Sequence, residues 1–197
     1  FFTLYGKDVW GISEASGALY LGFFSLALVA FAIPAGFLAT AIGRARTIKI
    51  GIVGLAVCLS IIGLVGSDAL GRPVLVLLNK LFYAGSTRAD GQLTIVGVML
   101  ARASVIVPAV LALAGMFWAA ININSYPMVV DMAAKSKTGA YTGLYYLFSS
   151  LAAITGPPVF GFLRDLLGMR ALFPFAVVCA LIALMFMAGV KRGEPQV

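Results

Sequence analysis

The segment Trp118-Ala-Ala-Ile-Asn122-Ile-Asn124-Ser125-Tyr-Pro127 sets an indole, two amides and a hydroxyl inside an apolar run of about residues 103 to 130. At helical spacing Trp118, Asn122 and Ser125 share one face. Pro127 also frees the carbonyl near Ile123, which adds one more acceptor. Amides in an oily medium are costly unless they meet a partner helix or a wet cavity. Two readings follow: a substrate site, or structural glue between helices at ~0.6 kcal/mol per contact. A second polar stripe, Tyr141, Tyr145 and Ser149, recurs every four residues, with Tyr146, Ser150 and Thr155 beside it. Its hydroxyls exchange hydrogen bonds and its rings stack on apolar ring faces, which suits a neutral, hydrated solute such as a sugar. Tyr141 lies near the expected interface, where an aromatic belt accounts for it. Tyr145 and Ser149 read instead as cavity residues.

Other chemistries lack their residues. The chain has no histidine, and Cys58 and Cys179 both sit in apolar runs as small buried hydrophobes, so no metal or haem site is expected. No nucleophile and base stand together, which argues against an intramembrane enzyme. No catalytic residue and no cofactor is assigned. The net charge of +7 is spread singly or in pairs at the ends of apolar runs, as topology signals rather than a nucleic-acid surface.

The elements that must position these residues are membrane helices. Of 197 residues 62% are hydrophobic and 11% charged, and the mean hydropathy is +1.06. A soluble domain carries roughly 45–50% and ~25%. A spanning helix needs ~20 apolar residues, and only helices satisfy their own amides in lipid. Five spans are expected, at about 14–42, 47–65, 103–130, 138–163 and 172–190. Ser13 is the expected N-cap of the first, with Glu14 in its first turn. Residues 67–102 form a long non-cytoplasmic connection, with an interfacial helix over 74–83 and a loop over 85–91. Gly139-x-x-x-Gly143 is expected to permit close helix packing. Gly156-Pro157-Pro158 is expected to bend or break the fourth span near its end. Arg164 and Asp165 do not face each other on a helix. The opening Phe1-Phe-Thr-Leu-Tyr5, without methionine or a basic leader, reads as the trailing edge of a further helix, and the chain as a fragment.

Orientation comes from the connections. One side holds Arg44, Arg46, Lys49, Lys135, Lys137, Lys191 and Arg192; the other holds Lys7, Arg72, Lys80, Arg88, Arg102, Arg164 and Arg170. The counts tie, but four of the second set fall in the one long connection, whereas the first set all lies beside spans. The first side is therefore read as cytoplasmic, with the C-terminus on it. Asp131 falls there too and is placed to pair with Arg44 or Arg46, latching one conformation; solvated loop charges are the plainer alternative.

The short basic stretch Gly36-Phe-Leu38-Ala39-Thr40-Ala41-Ile42-Gly43-Arg44-Ala-Arg46 resembles the cytoplasmic loop signature of the major facilitator superfamily, at the place where the C-terminal half repeats it. Gly156-Pro-Pro-x-x-Gly161 followed by Arg164-Asp165-Leu-Leu-Gly168-Met-Arg170 resembles the outer end of that family's eleventh helix. Asn122-x-Asn124-Ser125-x-Pro127-Met-Val-Val-Asp131 is similar to the sucrose-transporter-like, glycoside-carrying branches. The resemblance covers nearly the whole chain. It implies an all-α polytopic membrane protein, a helical bundle forming the C-terminal six-helix half of the fold with its first helix mostly missing.

It also implies secondary transport by alternating access in the plasma membrane, with the missing N-terminal half, the lipid bilayer and a small-molecule solute as partners, and a proton or sodium ion as coupling ion. Substrate contact is then expected from Trp118, Asn122, Ser125, Tyr145 and Ser149, and gating from Gly36, Gly43, Arg44, Arg46 and Asp131. Thr40 and Ala41 depart from the signature, which carries Asp and Arg there. No carboxylate lies centrally in a span, so a titrating acid belongs in the other half. The rival reading is a membrane structural or assembly subunit whose polar faces all meet fixed partners.

Overall fold

The structure is a computed structural model that describes residues 1–65 and 95–190. All regular structure among these is helical: α1 (Phe2–Trp10), α2 (Glu14–Ile42), α3 (Arg44–Val65), α4 (Ile95–Met132), α5 (Thr138–Leu167) and α6 (Leu172–Ala188), with 3-10 turns at Lys135–Lys137 and Met169–Ala171. Five helical stretches are long and apolar enough to cross a membrane: Glu14–Ile42, Arg44–Val65, Ile106–Met132, Lys135–Leu167 and Met169–Ala188. The interfacial helix and the loop expected over 74–83 and 85–91 lie outside the described residues, as do Lys191 and Arg192.

Local chemistry fixes the element ends. Gly11 (φ 67) closes α1, and the Ile12 N–H returns to the Gly6 carbonyl at 3.1 Å. Ser13 caps α2 by accepting from the Ser16 N–H at 3.1 Å. Across this link Lys7 donates to Glu14 at 2.8 Å, both exposed, and that bond raises the lysine's pKa above its ordinary value.

The first two spans, expected at about 14–42 and 47–65, meet more tightly than those bounds imply. α2 runs on to Ile42, α3 starts at Arg44, and Gly43 alone joins them at φ 94, ψ 146. Its N–H caps Ala39 (3.0 Å), while its carbonyl accepts both the N–H (3.1 Å) and the hydroxyl (2.8 Å) of Thr47. A side chain at that positive φ is strained, so the reversal depends on glycine.

α4 lies at the centre, packed on α2 and α3, while α3 also packs on α6. Three buried clusters follow one another along the bundle. Tyr5, Trp10, Tyr20, Ile62, Val107, Leu111 and Phe173 close one end. Ala35, Ala119 and Ala120 hold the middle. Ala45, Ile48, Ile52, Met128 and Met187 close the other.

Lipid gives no hydrophobic drive for helices to associate, so close approach must supply dispersion. Gly115 supplies it: a Cβ there would run into the Phe24 carbonyl of α2. Gly139 and Gly143, expected to do this work, face open space with nothing within 4 Å among the described residues.

Of the bend or break expected at Gly156-Pro157-Pro158, α5 shows no break. It continues through Pro157 and Pro158 to Leu167, where Gly168 (φ 81) ends it. Most of its surface is exposed, including Leu147, Ile154 and Phe162. Cys58 is buried, but Cys179 lies on the open surface of α6 rather than in a core. Arg164 Nε and Asp165 Oδ1 approach to 3.6 Å despite being sequence neighbours, because an exposed arginine is long enough to turn back.

Candidate functional site

The two central asparagines have different fates. Asn124 is 3% exposed, and its amide donates to the Ala120 carbonyl of its own helix (2.9 Å) and to the Ala35 carbonyl of α2 (3.3 Å). That bond joins α4 to α2 beside the alanine cluster, so Asn124 is interhelical glue. Two residues are ~200° of helix, so Asn122 points the other way and is exposed. Trp118, one turn earlier, is exposed beside it at 38%. Ser125 turns back on its own helix and donates to the Ile121 carbonyl at 2.6 Å.

Between α4 and α5 lies an open depression of about 490 Å³, lined by Val129, Tyr141, Leu144, Tyr145, Phe148 and Ser149. Tyr145 and Ser149 of the expected site therefore meet in it. Trp118, Asn122 and Ser125 are not among its lining residues. Tyr141, assigned from sequence to an interfacial belt, is part of the wall. Three of its lining residues carry hydroxyls and none is charged, but the surface it presents is almost wholly apolar, so it offers a solute chiefly ring and aliphatic contact and a charged one no counter-ion. Thr155, further along α5, donates to the Leu151 carbonyl at 2.8 Å.

Tyr126 was not singled out by sequence reasoning. Its ring centroid lies 5.5 Å from that of Tyr145 and 5.9 Å from that of Tyr146, and the latter two are 5.5 Å apart. The Tyr126 hydroxyl is 3.4 Å from Thr142 Oγ1. A signal was available, since Tyr126 follows Asn122 by one helical turn, but nothing in the sequence showed which α5 residues it meets.

At the basic end Arg44 Nη1 donates to Asp131 Oδ2, tying the first residue of α3 to the last turn of α4. Of the two arginines that sequence offered Asp131, Arg44 is the partner, and Arg46 is exposed. Gly43 forms the reversal just before this pair. Gly36, two turns earlier on α2, would present a Cβ to open space, with nothing within 4 Å among the described residues. Thr40 donates to the Phe37 carbonyl at 2.8 Å, so it makes a local helix bond where the signature has a carboxylate.

Membrane-length helices with ion pairs at their ends and an uncharged, mainly apolar wall between two of them define a polytopic membrane protein. The chain belongs to the Major Facilitator Superfamily, whose family model matches residues 1–196. Members carry small solutes across membranes and are in general not enzymes. No solved structure matches the chain significantly.

Proposed function

We propose that the chain is the C-terminal half of a secondary active transporter, close to the sucrose-transporter-like branch, that moves a small polar solute by alternating access, with sugars the class to test first. In this reading it sits in the plasma membrane with its C-terminus cytoplasmic, the N-terminal half supplies the opposite wall, and a proton or sodium ion drives transport from a site in that half. Trp118, Asn122, Tyr145 and Ser149 contact solute. Ser125, whose proton is committed to the Ile121 carbonyl, is left as an acceptor only.

The observation that carries the reading is Asn122: an exposed amide near the middle of the α4 span, on the opposite side from the bonded Asn124. An amide facing lipid at that depth is costly, so its face is expected to line a wet path. A purely structural subunit would have both amides engaged with neighbouring helices.

The test is uptake by the full-length protein in proteoliposomes with radiolabelled sucrose, lactose and methyl glucoside, with and without an imposed proton or sodium gradient. Saturable, gradient-driven uptake of one of them is expected, and Asn122→Ala is expected to abolish it while leaving the amount of inserted protein unchanged. Unaltered uptake in that variant returns Asn122 to a structural role.

A further inference from the structure

We infer that Tyr126 is a positioning residue that holds the Tyr145 ring at the wall of the α4/α5 depression; this rests on the transport reading above. Tyr145 and Tyr146 are neighbours on α5, so their side chains leave the helix ~100° apart. Both contact one ring, that of Tyr126, at 5.5 and 5.9 Å, and their own rings touch at 5.5 Å. The three rings close a triangle, with Tyr126 as the wedge that α4 sets against both. The Tyr145 and Tyr146 rings meet nearly edge to face at 79°, and Tyr126 meets them tilted at 58° and 35°. These are the offset arrangements that the aromatic quadrupole favours over flat stacking.

The wedge matters because α5 has little else to fix its side chains here. Tyr145 is half-buried, while Tyr141, Leu144, Phe148 and Ser149 around it are exposed. A tyrosine has only two side-chain torsions, and a ring packed against each flank leaves few rotamers open. The Tyr126 hydroxyl, 3.4 Å from Thr142 Oγ1 one turn before Tyr146, sets the wedge's own height along α5. Without Tyr126 the Tyr145 ring keeps only its Tyr146 flank, so the solute must complete its ordering on binding, and that cost weakens affinity without slowing the conformational step. Tyr126 itself is absent from the lining of the depression.

The experiment compares half-saturation concentration and maximal rate in the full-length transporter, using whichever of radiolabelled sucrose, lactose or methyl glucoside is taken up saturably. Tyr126→Ala is expected to raise the half-saturation concentration about ten-fold with the maximal rate unchanged, the upper end of what loss of the one ring contact to Tyr145 implies. Tyr126→Phe keeps the rings and is expected to stay within about three-fold of the parent, the scale of one weak hydroxyl contact. In the Tyr126→Ala, Tyr145→Ala double variant the first change adds nothing to the second.

A fall in maximal rate at unchanged half-saturation, or a double variant as additive as two independent sites, overturns the positioning role. Where Tyr126→Ala inserts poorly, Tyr126→Leu serves the same comparison with its volume largely kept. Failure of the underlying reading looks different: Tyr145→Ala then leaves uptake unaltered, or none of the three sugars is taken up, and the inference falls with it.

Discussion

Asn122 and Asn124 show how much a rotation of ~100° per residue decides. Both are asparagines in one apolar helix, yet one amide spans α4 and α2 and the other stands open. Asn124→Leu removes the bond to the Ala35 carbonyl while keeping bulk. It is expected to destabilise the full-length protein by about 1 kcal/mol, within the range for interhelical bonds in membranes. Asn122→Leu is expected to leave stability unchanged and to affect uptake alone. Thermal unfolding midpoints of both variants in the same detergent check this, and equal midpoints would dissolve the distinction. The sequence placed both amides within a span and stopped there, because the 3.6-residue period says which residues share a face and not which face turns inward. In a helix apolar all round, with polar groups on both sides, no amphipathic pattern settles that rotation.

At the scale of elements the spans themselves were legible, since long uncharged runs in lipid have no state but helix. What closes them up was less so. Gly139-x-x-x-Gly143 matches a common packing pattern but faces open space among the described residues, whereas Gly115, in the looser Gly115-x-x-x-Ala119, lets α4 reach the backbone of α2 at Phe24. Pattern alone cannot tell a glycine that touches a neighbour from one that touches nothing. The twin prolines Pro157 and Pro158 read as a bend or a break, and α5 runs through them unbroken.

Gly115→Ala puts a methyl against a backbone carbonyl that has no rotamer to escape into, so α2 and α4 must part. The expected cost is about 1–3 kcal/mol. Gly63→Ala, whose methyl would sit 3.0 Å from the Phe173 Cβ, is expected to cost less, because that contact needs a smaller shift. The order of the two is read from unfolding midpoints of the full-length protein in detergent, and a Gly115→Ala variant as stable as the parent contradicts the close α2/α4 approach.

For the whole molecule, three stacked clusters pack α1, α2, α3, α4 and α6 together, while α5 joins them through the tyrosines and through Phe160, which meets Phe1 and Phe175. A rocking mechanism needs such a body to switch as a unit, and the basic end is where it is fastened. The major facilitator signature places a carboxylate and an arginine near the positions of Thr40 and Ala41; here Thr40 spends its hydroxyl on the Phe37 carbonyl, and the ion pair is Arg44 with Asp131 instead. It ties α3 to α4, with side chains 22% and 35% exposed. Partial exposure limits such a pair to about 1 kcal/mol, or roughly five-fold in an equilibrium between two conformations.

Arg44→Gln and Asp131→Asn are each expected to lower the maximal transport rate by about that factor, while the exchange Arg44→Asp with Asp131→Arg recovers most of it. Uptake rates of the three variants at equal amounts of inserted protein decide the matter. If the exchange is no better than the single changes, the pair is a surface contact, and this end of the bundle is held by the buried cluster of Ala45, Ile48, Ile52, Met128 and Met187 instead.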